Sequence, residues 1–272
     1  LTNYLSNEED KIRDDMFIDD DIRLFAASFN KYIDSQKTTD RESINKILSK
    51  KTGAKEFVVL NFNYTNVFEK INIACNRLKK EKIFGTRYFN GLNYENDWIK
   101  IEHPHGDISG NIIFGVDNDE QIGEINIFNN CHMALKNQLI KNEMDALIGE
   151  NIDKNAFREL KQSSLIYLYG LSIGETDTTW WKRIIDLMYG SDLILIIHSH
   201  KMMVNKIKSP AKRKIEKDKI INEFMKYSEY KEADNEVIKS RIYIDDTDIF
   251  SDFAEIVRKK INNKTNNKTP LF

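Results

Sequence analysis

Short polar runs rich in asparagine, histidine, serine and glycine directly follow apolar segments of this 272-residue chain. The four runs are Asn63-Tyr64-Thr65-Asn66, His103-Pro104-His105-Gly106-Asp107, Gly170-Leu171-Ser172-Ile173-Gly174-Glu175-Thr176-Asp177 and His198-Ser199-His200. Such side chains can hydrogen-bond a ribose or a phosphate, and glycine lets a ligand approach the backbone closely. Each run taken alone is more typical of a turn or a helix cap. Their recurrence in one chain favours a nucleotide-binding site.

Asn63 and His105 are the two residues in these runs with the chemistry for a reaction on a bound nucleotide. The amide of Asn63 can hydrogen-bond a ribose or order a water molecule. His105 can act as a general base or as the partner of a ribose hydroxyl, because an imidazole titrates near neutral pH. His103 is the less favoured of the two histidines. Asp107 and Asp177 can orient these groups, although exposed carboxylates are common in loops.

The histidines and cysteines lack the spacing of a metal site. His198 and His200 lie close together, but the chain has no closely spaced cysteine pair and no His-Glu-x-x-His motif, so we expect no metal. Cys75 and Cys131 could pair with each other. The absence of an export signal instead favours two reduced, structural thiols.

The composition is that of an ordinary globular protein. Hydrophobic residues make up 40% of the chain, charged residues 31%, and the formal net charge is -2. No apolar stretch approaches the ~20 residues of a membrane span, and the N-terminus lacks the apolar core of a signal peptide. We therefore expect a cytoplasmic protein with no membrane partner.

One segment is locally basic. Lys201–Lys219 contains eight Lys or Arg against two acidic residues, a balance that can neutralise phosphates. Few aromatic residues lie between these charges to stack on bases. We expect an exposed helix or loop there, and nucleic-acid binding is the less favoured interpretation.

Alternation of apolar strands and amphipathic helices sets the expected architecture. Predicted strands cover 57–62, 98–103, 111–116, 164–169, 192–197 and 241–244. Predicted helices cover 19–33, 67–82, 180–189, 212–230 and 250–261, with helical patterns also in 132–162. This order predicts an α/β fold with a Rossmann-like, mainly parallel sheet and helices on both faces, in which 57–62, 164–169 and 192–197 are neighbouring central strands. The predicted domains are a helical and linker region over 1–50, the α/β domain over 51–261 and a polar tail over 262–272.

Ligands of such sheets bind at the carboxyl ends of the strands. Asn63, His105 and Ser172 each follow a predicted strand. We therefore expect these three residues to line one cleft at the sheet's carboxyl edge.

Four segments resemble the successive signatures of the AbiH family of bacteriophage abortive-infection proteins, which are in turn similar to sirtuin-like domains. They are Asn61-Phe62-Asn63-Tyr64-Thr65, His103-Pro104-His105-Gly106, Ile112-Ile113-Phe114-Gly115 and Tyr169-Gly170-Leu171-Ser172-Ile173-Gly174-Glu175-Thr176-Asp177 followed by Trp180-Trp181. Together the segments span roughly residues 57–260. The resemblance implies a sirtuin-like domain, NAD as substrate and a role in phage resistance.

The resemblance also assigns site residues. Asn63 takes the place of the sirtuin-type asparagine and His105 that of the histidine. The implied nucleotide-binding positions are Tyr64, Thr65, Gly106, Gly170, Ser172 and Asp177.

Two features depart from the family's pattern. Thr65 stands where the sirtuin-type motif usually has an aspartate. No Gly-Asn-Gly-Phe-Asp-like loop precedes Phe57, although a nucleotide's pyrophosphate normally rests on such a loop. Because the chain starts at Leu1, we expect either an N-terminal fragment or a degraded cofactor site, and little NAD cleavage by the 272-residue form.

Three functions follow from these patterns. The first is phage resistance by hydrolysis of the nicotinamide–ribose bond of NAD. The second is a non-catalytic nucleotide-binding or phage-sensing module that responds to a phage-derived trigger and acts as a homo-oligomer. The third is nucleic-acid binding through Lys201–Lys219.

Overall fold

The computed structural model describes residues 2–50, 55–77, 86–89, 92–122, 138–148 and 152–266. The strands are β1 (Lys55–Leu60), β2 (Thr86–Phe89), β3 (Leu92–Glu102), β4 (Leu165–Leu168), β5 (Ile194–His198) and β6 (Ile242–Asp245). The helices before β4 are α1 (Thr2–Glu9), α2 (Asp19–Asp34), α3 (Thr38–Leu48), α4 (Val67–Arg77), α5 (Lys141–Ile148) and α6 (Ile152–Gln162). The later helices are α7 (Thr178–Gly190), α8 (His200–Asn205), α9 (Pro210–Met225), α10 (Glu232–Lys239) and α11 (Ser251–Asn266).

Short sheets with parallel pairing, flanked by helices, give the chain a mixed α/β, Rossmann-like fold, and the predicted fold class is confirmed. One sheet has the order β4-β5-β6, and both of its strand pairs are parallel. The other has the order β1-β3-β2, with β1 parallel and β2 antiparallel to β3. Every parallel pair is linked through helices, as crossover connections require.

Two details of the predicted sheet need correction. The strands predicted at 164–169 and 192–197 are neighbours as expected, but β1 pairs with β3 in the other sheet. The segment 111–116 is not a strand: Ile112 and Val116 make isolated bridges to Gly106 and Ile140. Gly115 has a φ of +151°, which is outside the range of a regular strand, and a Cβ there would stand 2.1 Å from the carbonyl oxygen of Leu139.

Some elements of the structure were not predicted, and some predicted residues lie outside the described ranges. The hairpin of β2 and β3 was not predicted. The helix expected over 212–230 is α9, which ends at Met225, and α10 was not predicted. Leu1, Cys131, residues 78–82 of the helix predicted over 67–82, and the end of the predicted tail, 267–272, lie outside the described part of the chain.

The chain divides into two compact units, each built from separate stretches of sequence. The first unit comprises Leu1–Ser35, Ser49–Ile112 and Asp248–Phe272, and the second comprises Gln36–Leu48 and Ile113–Thr247. The domain boundaries expected from the sequence stay a prediction. None of the described helices is both long and apolar enough to cross a membrane.

Aromatic packing between the ends of the chain forms the core of the first unit. Phe25 of α2 is 2% exposed, and its ring centroid lies 4.9 Å from that of Phe253 and 5.8 Å from that of Phe250. On its other side it contacts Phe68 of α4 at 6.3 Å. The C-terminal helix α11 is therefore part of the same core as α2 and α4.

The core of the second unit surrounds β5, in which all five residues are buried. Helix α7 covers this core with an apolar face that includes both Trp180 and Trp181. The indole of Trp181 donates to the carbonyl of Gly174 at 2.8 Å and meets Phe224 of α9 edge-on. Burying a polar N–H costs little when it has such an acceptor.

We predict that Phe25→Ala lowers the free energy of unfolding by about 3–5 kcal/mol, because it leaves a cavity among three aromatic rings. Ile73→Ala is the control, since Ile73 lies on α4 of the same unit but is 53% exposed. The control should change stability by only about 0.5 kcal/mol. Urea unfolding measures both, and equal effects would contradict the assigned core.

Candidate functional site

Parallel pairing of β1 with β3 places the two polar runs that follow them at the same edge. Leu60 at the end of β1 is opposite Glu102 at the end of β3. The backbone N–H of Asn61 continues this register by donating to the carbonyl of Glu102 at 2.8 Å. The loop 61–66 and the loop 103–110 are therefore neighbours, as the sequence predicts for successive strand ends of a parallel sheet.

Asn61 organises the first of these loops from within. It is 4% exposed, and its Nδ2 donates to the carbonyl of Thr65 at 2.9 Å. Its Oδ1 accepts from the backbone N–H of Asn63 at 3.1 Å, which closes an Asx turn. Asn63 itself is exposed, whereas Tyr64 and Thr65 are half-buried. The carbonyl of Tyr64 accepts from the N–H of Ile108, so the second loop is tied to the first.

His103 connects both loops to the helix behind them. Its Nε2 lies 2.6 Å from Oε1 of Glu69 in the first turn of α4, and its Nδ1 lies 3.2 Å from the carbonyl oxygen of Asn63. Burial lowers the pKa of His103, but the hydrogen bond and charge of Glu69, with smaller contributions from Asp107 and Asn63, outweigh it. The net result is a pKa raised above the usual value of histidine.

His105 lies in a different environment. It is 7% exposed and meets the ring of Phe62 edge-on at 5.0 Å. Residues 103–106 form a turn in which the N–H of Gly106 donates to the carbonyl of His103 at 2.9 Å. His105, the histidine that the sequence favoured, is therefore packed against the ring of Phe62. His103 is the histidine that faces a carboxylate, that of Glu69.

Gly106 is required by its surroundings. Its φ is +69°, and a Cβ would stand 1.7 Å from the carbonyl oxygen of Asn111. Asp107 follows and turns the chain, because its Oδ1 accepts from the backbone N–H groups of Ser109 and Gly110 at 2.6 Å and 3.2 Å. These contacts define the shape of the second loop.

The start of α4 is fixed by Glu9 from α1. This carboxylate is 8% exposed, and its Oε2 accepts from the N–H of Asn66 at 2.7 Å. Its Oε1 is 3.2 Å from the ammonium of Lys70, which also donates to the carbonyl of Glu9. A negative charge at a helix N-terminus is favourable. Because Glu69 lies in this first turn, Glu9 contributes to its position.

A second set of polar and aromatic residues lies at the carboxyl ends of β4, β5 and β6 in the second unit. The hydroxyl of Tyr167 donates to Oδ2 of the buried Asp245 at 2.9 Å. Tyr169 stacks on the buried ring of His198 with centroids 4.6 Å apart and on Tyr167 at 6.2 Å. These contacts define the edge of this sheet.

The predicted nucleotide-binding residues of the second unit differ in their availability. Gly170 has a φ of +70° with nothing within 4 Å of where a Cβ would stand, and Ser172 is exposed. Asp177 instead forms an ion pair with Lys141 at 2.6 Å. Nearby Asp117 is 8% exposed, burial raises its pKa, and its Oδ2 accepts from the N–H of Thr179 at 2.7 Å.

A family model described as Bacteriophage abortive infection AbiH matches residues 3–199. The chain belongs to the AbiH family. Membership implies a function in bacteriophage abortive infection. The match begins and ends earlier than the stretch 57–260 that the motifs indicated. Comparison with curated proteins and with solved structures found no match.

Both strand-end loops of the first unit lie inside the AbiH match, together with Gly170, Ser172 and Asp177. Sequence reasoning did not identify Glu69 or Glu9 as part of this site. A signal for Glu69 was available, since it is the only acidic residue in the first turn of the helix that follows Asn63. Nothing in the sequence pattern indicates that Glu9 reaches the same helix.

The basic segment of this AbiH protein lies on α8, α9 and the intervening turn. Six of its eight cations are exposed, and Arg213 and Lys217 are half-buried. Arg213 pairs with Asp246 at 2.7 Å, and Glu216 lies within ion-pair distance of Lys201 and Lys219. These intramolecular partners reduce the free positive charge of the segment, while its use in nucleic-acid binding stays a prediction.

The metal-binding alternative concerns the side chains that the structure describes. Among those residues, no group of three or more His, Cys, Asp or Glu is arranged to hold a metal ion. His103 and His105 belong to the first unit, and His198 and His200 belong to the second.

We predict that Gly106→Ala destabilises the protein more than Gly170→Ala does. The two glycines have nearly the same positive φ, which costs about 1–2 kcal/mol for any other L-residue. Only at Gly106 does the added Cβ also meet a backbone carbonyl, which should cost about 1–3 kcal/mol more. Urea unfolding compares the two variants, and a smaller loss at Gly106 would contradict the described loop.

The raised pKa of His103 predicts a pH-dependent stability. The folded state binds the proton more tightly than the unfolded state, so the contribution is fully present below the unfolded pKa of about 6.5. It is lost as the pH rises through the higher, folded pKa. Unfolding free energies measured from pH 6 to pH 9 should therefore decline, and the decline should be smaller in Glu69→Gln. An identical pH dependence in both proteins would contradict the assigned pair.

Proposed function

We propose that this AbiH protein acts in abortive infection by hydrolysing the nicotinamide–ribose bond of NAD at the edge formed by β1 and β3. The observation that carries the proposal is the convergence of the Asn63 loop and the two-histidine loop at this edge. An exposed carboxamide stands there beside imidazole and carboxylate groups. These are the types of groups that orient a ribose and move a proton.

The bond to nicotinamide breaks through a state in which the ribose carries positive charge. The oxygen of a water molecule bonds to C1′ while the bond from C1′ to the nicotinamide nitrogen breaks, and its electron pair leaves with nicotinamide. In the proposed reaction Asn63 orients the water or the ribose, and His105 accepts the proton of the water. His105 is buried against Phe62. We therefore propose that it acts only on a nucleotide whose ribose is bound directly against the loop that contains His105.

Further nucleotide-binding residues are proposed within each unit, taken separately. In the first unit they are Tyr64, Thr65 and the backbone at Gly106. In the second unit they are Gly170 and Ser172, since Gly170 leaves room for close approach and Ser172 is exposed. Asp177 is the weakest of the predicted contacts, because Lys141 already pairs with it. The shared cleft of Asn63, His105 and Ser172 stays a prediction.

The alternative function is a nucleotide-binding module without catalysis. In that case the protein would sense a phage-derived trigger and act as a homo-oligomer. The two functions require the same loops but differ in what happens to NAD, so the concentration of NAD during infection distinguishes them. Cytoplasmic localisation is part of both proposals.

The test expresses the protein from its natural start in bacteria that are then challenged with phage. We expect wild type to reduce phage yield and to lower cellular NAD, and we expect Asn63→Ala and His105→Ala to lose both effects. Asn222→Ala is the control, because Asn222 is an exposed asparagine on α9. Exposed substitutions usually change stability by only about 0.5 kcal/mol, so a large loss for Asn63→Ala reports on function.

Each outcome decides between the functions. Resistance that persists while NAD stays level would favour the binding module and overturn hydrolysis. Resistance and NAD loss that survive in Asn63→Ala would show that the site lies elsewhere. Thermal unfolding of each purified variant separates a loss of function from a loss of fold.

A further inference from the structure

We infer that His103 is a positioning residue that sets the orientation of Asn63 by donating hydrogen bonds from both of its ring nitrogens. One bond goes to the backbone carbonyl of Asn63 and the other to the carboxylate of Glu69. The catalytic part of this inference rests on the proposed function, whereas the hydrogen-bond arrangement does not.

The two partners of His103 are both acceptors. A carbonyl oxygen and an ionised carboxylate have no proton to give, and a neutral imidazole has only one N–H. The contacts at 3.2 Å and 2.6 Å are therefore both hydrogen bonds only when the pair carries a second proton. This proton can reside on the ring or be shared with Glu69, and in either case the N–H that faces Asn63 is retained.

Loss of that proton forces a choice between the two contacts. If the remaining hydrogen stays on Nδ1, the lone pair of Nε2 faces Oε1 of Glu69 at 2.6 Å. If it moves to Nε2, the lone pair of Nδ1 faces the carbonyl oxygen of Asn63. The other oxygen of Glu69, Oε2, is buried, and no donor among the described residues reaches it. Among the described residues His103 is the donor that reaches this carboxylate, which favours the second arrangement and the release of Asn63.

Asn63 is sensitive to this choice because its backbone is held on both sides. Its N–H donates to Oδ1 of Asn61, and its carbonyl accepts from His103. With both peptide groups fixed, the direction of the Cα–Cβ bond from which the exposed side chain extends is fixed as well. Release of the carbonyl leaves only the Asn61 contact, so the side chain samples more orientations. Loss of alignment of a reacting group acts mainly on the rate of the chemical step.

Among the described residues, the two charged groups that act on the pKa of His103 are acidic. Glu69 comes from α4, and Asp107 comes from the loop that contains His103. Both favour retention of the proton. Activity should therefore be constant at low pH and fall as the pH rises through the titration of His103.

The experiment combines nuclear magnetic resonance on the 272-residue chain with activity measurements on the protein expressed from its natural start. Ring nitrogen shifts follow the protonation of His103, and the amide shift of Asn63 follows the loop. We expect both to change at the same pH in wild type. The rate of NAD loss should fall over that same range, and His103→Ala should lower kcat by about tenfold or more with a smaller change in KM.

Glu69→Gln supplies the rescue test. The amide of the new side chain can donate to the unprotonated Nε2, so a neutral imidazole keeps its N–H on Asn63. This variant should retain activity at alkaline pH, where wild type loses it. Glu143→Gln is the matched control, because Glu143 is also the third residue of its helix, and it should behave as wild type.

The outcomes separate this inference from the proposed function. If NAD is lost but Glu69→Gln and wild type have the same pH profile, the inference is wrong and the proposed function stands. If no protein consumes NAD, the proposed function is wrong, and the joint titration of His103 and Asn63 still decides the positioning role. An Asn63 amide shift that does not follow His103 overturns the inference in every case.

Discussion

Parallel pairing between β1 and β3 is the constraint on which the candidate site depends. Because Leu60 is opposite Glu102, the chain leaves both strands at the same edge, and two loops distant in sequence become neighbours. Asn61 then extends the pairing by one residue and uses its buried side chain to shape the loop that carries Asn63. A shift of one residue in this register would move the two loops out of alignment and remove these contacts.

Buried polar groups around these loops determine position more than they add stability. The Glu9–Lys70 pair connects α1 to α4, and the Glu69–His103 pair connects α4 to the loop 103–110. Taking charges out of water costs free energy that their mutual attraction offsets only in part. We therefore attribute to these pairs the alignment of α4 with the loops. The aromatic contacts of Phe25 stabilise the first unit. Family membership implies a function in abortive infection. In the proposed site, hydrogen bonds position the loops after β1 and β3, and the aromatic core around Phe25 stabilises the unit that contains them.

Much of this organisation could be predicted from local sequence. The apolar runs predicted β4, β5 and β6 to within about two residues, and the polar residues that follow β1 and β3 were identified as candidates, because strand ends are marked by a change in residue type. The partner of β1 could not be predicted, since a continuous apolar run fits beside many others. The role of Glu9 was also inaccessible, because Glu9 and Asn66 are far apart in sequence and meet only after α1 and α4 have packed. His103 was underrated because its importance comes from Glu69, which local patterns do not connect to it.

We propose that the edge formed by β1 and β3 binds the nucleotide. Titration of the isotopically labelled 272-residue chain with NAD, followed by backbone amide shifts, is a direct test of this binding. We expect saturable shifts in residues 61–66 and 103–110, and Asn63→Ala should weaken them. Saturable shifts confined to Lys201–Lys219, or no shifts at either loop at millimolar NAD, would contradict it.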